Sequence, residues 1–467
     1  MTLSDNNLKT NSVGFPYLLA QSIALITPMG AAFGVLLGTA SFAEGAFPLA
    51  ILFAIVISLA WINTPYQFSK KLAGAGGFYQ FAARAVSPSY GFYTGWFYIL
   101  NYFFFSAGAG VFLFGVIFPG VFSILGFGVF PAYAWIPLTI LMVVLVFLLA
   151  FYGIRPSLKY SLVASILEIG ILIALSIGII IQPTVTNTLS VFSPSLSPTG
   201  WSGVFLGAIF GFTALSGVSG AVYLGEEAKA PIKIMKKAIL ISYVVTAITF
   251  VLFSYAMTVG WGIPNMSTFA SSGVPGLILS DQYLGGAFLF VMFLFVINSV
   301  FAGTLAPINA SARLLFSMGR DKLVPGFLGK TSEKHQTPAF SLLTLSVVAV
   351  LTAVTAGIVL GPLEGFIFII LLAGVASLVG HILGSVALPL FFRKIKINAF
   401  YHVIVPAIYL ATAVGIGYSL FFPFTYPVYY APIIIIVWAF VGLLFLVNAK
   451  KKHKAWTDVG QPFAEEK

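Results

Sequence analysis

Apolar runs long enough to span a bilayer, about 20 residues each, recur along this chain with short polar punctuation between them. They fall at 15 to 40, 46 to 69, 90 to 118, 132 to 152, 157 to 181, 201 to 225, 237 to 260, 284 to 316, 339 to 360, 363 to 392, 400 to 422 and 427 to 449. The pattern predicts an all-α polytopic membrane protein with about twelve transmembrane helices. The longest runs are expected to tilt or to project beyond the bilayer.

Two runs are interrupted near their middles. In the first, Thr27-Pro28-Met29-Gly30-Ala31-Ala32-Phe33-Gly34 holds a proline and two glycines. Proline removes a backbone donor and clashes with the preceding turn, so this is either a kink with close small-residue packing or an opened helix. In the sixth, Leu215-Ser216-Gly217-Val218-Ser219-Gly220 puts small and polar residues at similar depth. Lipid cannot satisfy an opened backbone, so such segments face protein or a water-filled cavity. The two interrupted runs open two successive sets of five, the arrangement an inverted repeat produces, with substrate held at the breaks.

Composition agrees with this reading: 60% of the 467 residues are hydrophobic and 7% charged, a balance foreign to a water-soluble domain of this size. The net charge of +11 does not point to nucleic acid, because the basic residues are spread over short loops rather than gathered on one face. Twelve crossings place all 23 Lys and Arg on one side, from Lys9 through Lys70, Arg155, Lys229, Arg313 and Arg393 to Lys450, and leave Glu44, Asp281 and Glu364 opposite. Positive charge accumulates on the cytoplasmic side. Both tails, 1–14 and 450–467, are therefore expected in the cytoplasm. With no cysteine there are no disulfides or thiolate metal sites, and the polar amino terminus lacks the pattern of a cleaved signal peptide.

The loop Leu72-Ala73-Gly74-Ala75-Gly76-Gly77-Phe78-Tyr79 reads as a cytoplasmic turn packed under the bundle. It is not a phosphate loop, because neither the following Lys-Ser/Thr nor a preceding strand is present. The segment Met266 to Tyr283 is a candidate external lid. Among the acidic residues only Glu168 lies deep in an apolar run, where a carboxylate is costly enough to make a functional role the default. It is the candidate proton-coupling or cation-binding group, against the alternative of a carboxyl tying two helices together. Asn298, Ser299 and Thr304 are candidates to line the same site, and Tyr102 is a candidate to face substrate. His381 is read as a packing residue or a proton relay. Glu168 and His381 lie in different runs with no catalytic spacing, so no enzyme activity, metal or cofactor is expected. Two six-helix halves would need a long linker after the sixth run, and a channel would need a continuous polar stripe; neither is visible.

With these positions in view, the chain resembles the amino acid–polyamine–organocation transporter superfamily. The resemblance rests on Ala73-Gly74-Ala75-Gly76-Gly77-Phe78-Tyr79, Gly95-Trp96, Gly225-Glu226-Glu227 with Pro231, and Asn309, Arg313 and Gly319-Arg320-Asp321. It covers nearly the whole chain. It implies a five-plus-five inverted repeat over 15–392, with two peripheral helices over 393–449. It also implies secondary transport of amino acids or related amines by alternating access across the plasma membrane. By the resemblance, substrate lies against Met29, Gly30, Ala31 and Ala32 on one side and Gly217, Val218, Ser219 and Gly220 on the other. Similar family members place an aromatic and a polar or acidic residue where Val218 and Ser219 stand, so Phe210 or Phe212 is expected to serve as gate. Where Glu168 stands, similar members carry a lysine. The expected partners are a neutral amino acid, a proton and the bilayer, with no nucleic acid and no obligate protein partner. Proton symport, exchange and a flux-free nutrient sensor on the same fold all remain open.

Overall fold

A computed structural model describes residues 8–272, 274–421, 429–453 and 456–466. The expected end of the eleventh run at 422 and the start of the twelfth at 427 lie outside these residues, as do 1–7, Lys454 and Lys467. Among the described residues the architecture is almost entirely helical, with nine helical runs long and apolar enough to cross a membrane. The first of these, Phe15–Phe68, is 54 residues long. At 1.5 Å per residue it would extend about 80 Å, far beyond a hydrocarbon core. It divides at Glu44–Ala46, where Glu44 takes a left-handed φ of 43°. Dividing it there, and adding the shorter apolar helices Trp135–Phe151 and Phe400–Gly415, accounts for each apolar run read in the sequence.

Several boundaries differ from the sequence expectation. The third run extends over Pro88–Ile124 through a π-helical stretch at Leu113–Ile117, and the seventh begins at Pro231. Proline explains the second case, since its fixed φ suits the first turn of a helix.

The connections expected outside the membrane hold short helical pieces. Ile263–Thr268 is a 3-10 turn and Pro275–Leu284 a ten-residue helix. Gly276 of that helix rests on Phe33, so closely that a Cβ there would lie 2.5 Å from the ring.

On the opposite face a short helix, Phe78–Ala85, follows the glycine-rich turn and packs against Pro88–Phe112. Residues Leu72–Ala73 (β1) pair antiparallel with Ala464–Glu465 (β2). Near the amino terminus, Val13 bridges to Ala228. Both ends of the described chain therefore meet the same face of the molecule.

Candidate functional site

The site is built from two helix interruptions that touch. Phe15–Ile26 stops at Thr27, whose backbone is left-handed (φ 56°, ψ 67°). Pro28 then starts a new helical piece that widens into a π-helical stretch at Ala31–Val35. Trp201–Leu215 passes at Ser216 into a 3-10 helix that runs to Leu224. The chain therefore opens at Thr27, at the leading edge of the expected interruption, because Pro28 opens the second piece instead of bending the first.

Glycines let the two interruptions meet. A Cβ on Gly217 would stand 2.5 Å from the Ile26 nitrogen, and on the neighbouring helix Gly286–Arg320 one on Gly303 would stand 2.3 Å from Thr27 Oγ1. No other residue could occupy either position without displacing its neighbour.

Between them is a cavity of about 60 Å³. Its polar wall is Thr27, Asn101, Tyr102, Thr213 and Ser216, and its apolar wall includes Phe105, Phe112, Val300, Phe366 and Ile370. Among the described residues, no Asp, Glu, Lys, Arg or His lines it. A charged ligand group there would rely on helix ends, whose last carbonyls and first N–H groups lack intrahelical partners and carry partial charge. Tyr102 donates to Tyr223 Oη at 3.2 Å.

Glu168, on Ile154–Ile180, is only 1% exposed. Ser299 Oγ donates to its Oε2 at 2.7 Å, and Asn298 Nδ2 donates to its Oε1 at 3.1 Å. Asn298 is oriented by Tyr160, whose hydroxyl donates to Asn298 Oδ1 at 2.8 Å. Ser299 Oγ also accepts from the Gly30 N–H at 3.0 Å, and Gly30 lines the cavity. Two hydrogen bonds therefore connect the buried carboxyl to the backbone just past the first interruption.

Of the residues singled out in the sequence, Gly30, Ala31, Tyr102 and Gly217 line the cavity. Met29, Ala32, Val218, Ser219 and Gly220 are buried in the packing around it. Asn298 and Ser299 meet Glu168, whereas Thr304 donates to its own helix, to Val300 O at 2.8 Å. The two candidate gate residues lie elsewhere. Phe210 stacks on Phe42, and Phe212 sits edge-on to Trp61. An aromatic pair that the sequence reading passed over does line the cavity: Phe112 and Phe366 stack with centroids 4.5 Å apart. Against a chain with 47 phenylalanines nothing marks these two out. Asn101 carried a signal, as the one amide within the aromatic stretch 98–105. His381 packs 4.1 Å from the Trp61 ring and shares a 3.3 Å hydrogen bond with Ser377.

Below the cavity, polar contacts tie the helices together in a layer that we call the seal. Gln21 Nε2 donates to Ala306 O at 2.9 Å, and the Ala221 N–H donates to Ser22 Oγ at 3.1 Å. Deeper still, Arg313 meets Glu227 through Nε (2.5 Å) and Nη2 (3.1 Å), both side chains being 1% exposed. Arg320 grips Glu226 in the same two-pronged way, with Nη1 to Oε2 at 3.0 Å. Such bidentate pairs fix orientation as well as charge.

The family model described as "Amino acid permease" matches residues 18–461. Among curated proteins, the chain is 26% identical over 357 residues to a low-affinity putrescine importer of Escherichia coli (strain K12), covering 72% of this chain and 74% of the importer. It is 27% identical over 360 residues to a branched-chain amino acid permease of Bacillus subtilis (strain 168), covering 72% and 73%. It is 24% identical over 306 residues to a histidine permease of Lactococcus lactis subsp. cremoris (strain MG1363), covering 62% and 61%.

Proposed function

The chain belongs to the amino acid permease family, and from that premise we propose that it imports a neutral amino acid across the plasma membrane in symport with a proton. It is a multi-pass membrane transporter for amino acids or related substrates. In the finer reading, twelve helices cross the membrane with both tails in the cytoplasm, the first ten form a five-plus-five inverted repeat, and alternating access runs around the paired interruptions. Substrate sits in the cavity, its carboxylate and ammonium oriented by the partial charges at the ends of the opened helix pieces. Glu168 carries the proton.

One observation carries this reading: the hydrogen-bond link from Glu168 through Ser299 to Gly30 at the wall of an uncharged cavity. A proton arriving on Glu168 changes what Ser299 offers to the Gly30 N–H, so loading of carboxyl and cavity are physically linked. The same uncharged wall favours an apolar side chain over a diamine. A diamine brings two cations and no carboxylate, and burying an unpaired cation is expensive.

The substrate test is competition against uptake of labelled leucine in cells, using unlabelled leucine, valine, histidine, lysine and putrescine. The neutral aliphatic amino acids are expected to compete at least ten-fold better than lysine or putrescine. Stronger competition by putrescine would overturn the substrate assignment.

A further inference from the structure

Residues 456–466 cross the sealed face beneath the cavity and touch three separate parts of it. The Glu466 N–H donates to Lys71 O at 2.8 Å, continuing the β1–β2 pairing in which Leu72 faces Glu465 and Ala73 faces Ala464. Gln80 Nε2 donates to Gln461 O at 2.8 Å, and Arg84 Nε meets Glu465 Oε2 at 2.8 Å. At its other end the Gly460 N–H donates to Asp321 Oδ2 at 3.1 Å, the same oxygen that accepts from Tyr79 Oη at 2.5 Å. Gly460 takes a left-handed φ of 77°, and a Cβ there would stand 2.6 Å from that of Ala83. The segment is therefore fitted to the short helix by a position that only glycine fills easily.

The layer it grips is the floor of the seal. Gly225 packs on Gly74 so closely that a Cβ would lie 2.3 Å from the Gly74 nitrogen, and Gly77 packs likewise on Tyr223. The Ala75 N–H approaches Glu226 Oε1 at 3.4 Å, and Glu226 is the carboxylate that Arg320 holds. The order from the surface inward is thus strap, glycine-rich turn with its helix, then the 3-10 segment 216–224 that closes the cavity from below.

We propose that residues 456–466 are a strap that holds this floor shut, and that the strap must leave β1 each time the cavity opens toward the sealed face. This rests on the alternating-access reading above. The strap pins the turn at 72–73 to the helix end at Asp321, next to the Arg320 that holds Glu226, so the turn cannot draw away from that end while both contacts stand.

The chain has no cysteine, so the strap can be locked with an introduced pair, Ala73→Cys with Ala464→Cys, at positions directly opposite in the pairing. Facing strand residues fall within disulfide reach. Oxidation is expected to cut uptake of the labelled substrate at least ten-fold, and dithiothreitol to restore it to the unoxidised level. Equal uptake by the cross-linked and reduced forms overturns the proposal.

A second measurement works without flux. Ser22→Cys, a reporter buried in the seal, is probed with an impermeant maleimide applied to the strap face of proteoliposomes, with and without residues 456–467. Labelling is expected to quicken several-fold when the strap is removed, and unchanged labelling overturns the proposal. Faster labelling together with no uptake of any amino acid by the wild type would sustain the strap and sink the transport reading instead.

Discussion

At the scale of single residues, the contacts at the two interruptions leave no slack. Gly217 faces backbone, which cannot rotate away, so Gly217→Ala forces the two opened helices apart. The cost expected of such overpacking is about 1–3 kcal/mol, with uptake falling at least ten-fold. Gly374→Ala is the control, since a Cβ there meets nothing within 4 Å and alanine favours helix over glycine by about 1 kcal/mol. Thermal unfolding in detergent and uptake in cells measure both.

Arg313→Ala strands Glu227 as an unpaired buried carboxylate and should cost about 3–5 kcal/mol, read as a large fall in melting temperature. The pH dependence at the strap has a definite sign. Burial raises the Asp321 carboxyl above its ordinary 3.8, outweighing the opposing pull of its Tyr79 and Gly460 hydrogen bonds and the nearby Arg320. The folded state therefore holds that proton at pH values where the unfolded chain has released it. Stability from this group is fullest below 3.8 and declines as pH rises through the folded-state value. Accordingly, the melting temperature of wild type minus that of Asp321→Asn should grow as pH falls from 7 toward 4.

Residue-scale chemistry was partly legible in the sequence. Glu168 stands out because no other acid lies deep in an apolar run, and Asn298-Ser299 is the polar pair in the otherwise apolar stretch 286–303. That Ser299 reaches across to the Gly30 N–H depends on how three helices stack, which no local pattern encodes.

At the scale of elements, contiguous apolarity makes the helices readable, whereas their interruptions depend on which side of a proline the chain opens. The left-handed turn at Thr27 is invisible to composition because threonine seldom adopts it. The continuation of the sixth run as a 3-10 helix likewise follows from the tight contact of Gly217 and Gly220 with the first helix. The strap was illegible for another reason. Two residues of strand carry no periodicity, and the charged, polar composition of 450–467 reads equally well as a solvated tail.

Element-scale packing also yields a prediction about substrate release. Phe112 and Phe366 line the cavity as one stacked pair. Removing one ring, as in Phe366→Ala, should speed substrate release from the externally facing site several-fold while leaving the proton dependence of uptake in place. Pre-steady-state release of labelled substrate measures the first, and uptake at two external pH values the second.

At the scale of the whole molecule, topology and charge point the same way. The segment after residue 8 pairs with Ala228, and the strap pairs with β1. Both lie on the face that carries the basic loops. Single cysteines at Lys9 and at Phe463 should therefore react with an impermeant maleimide only after cells are permeabilised, whereas one at Leu189, 78% exposed in a connection expected outside, should react in intact cells. Labelling of the Lys9 position from outside would invert the topology and with it the assignment of the strap to the cytoplasm.

The measurement that bears most directly on the central claim is uptake of a labelled neutral amino acid into proteoliposomes, with and without an inward proton gradient, by wild type and by Glu168→Gln. The account predicts that the gradient drives accumulation above equilibrium in wild type. It predicts that the variant loses this accumulation yet still exchanges internal for external substrate. Equal, gradient-insensitive uptake by both proteins, dependent on internal substrate, would contradict it, and would make this permease an exchanger in which Glu168 only ties its helix to Asn298 and Ser299.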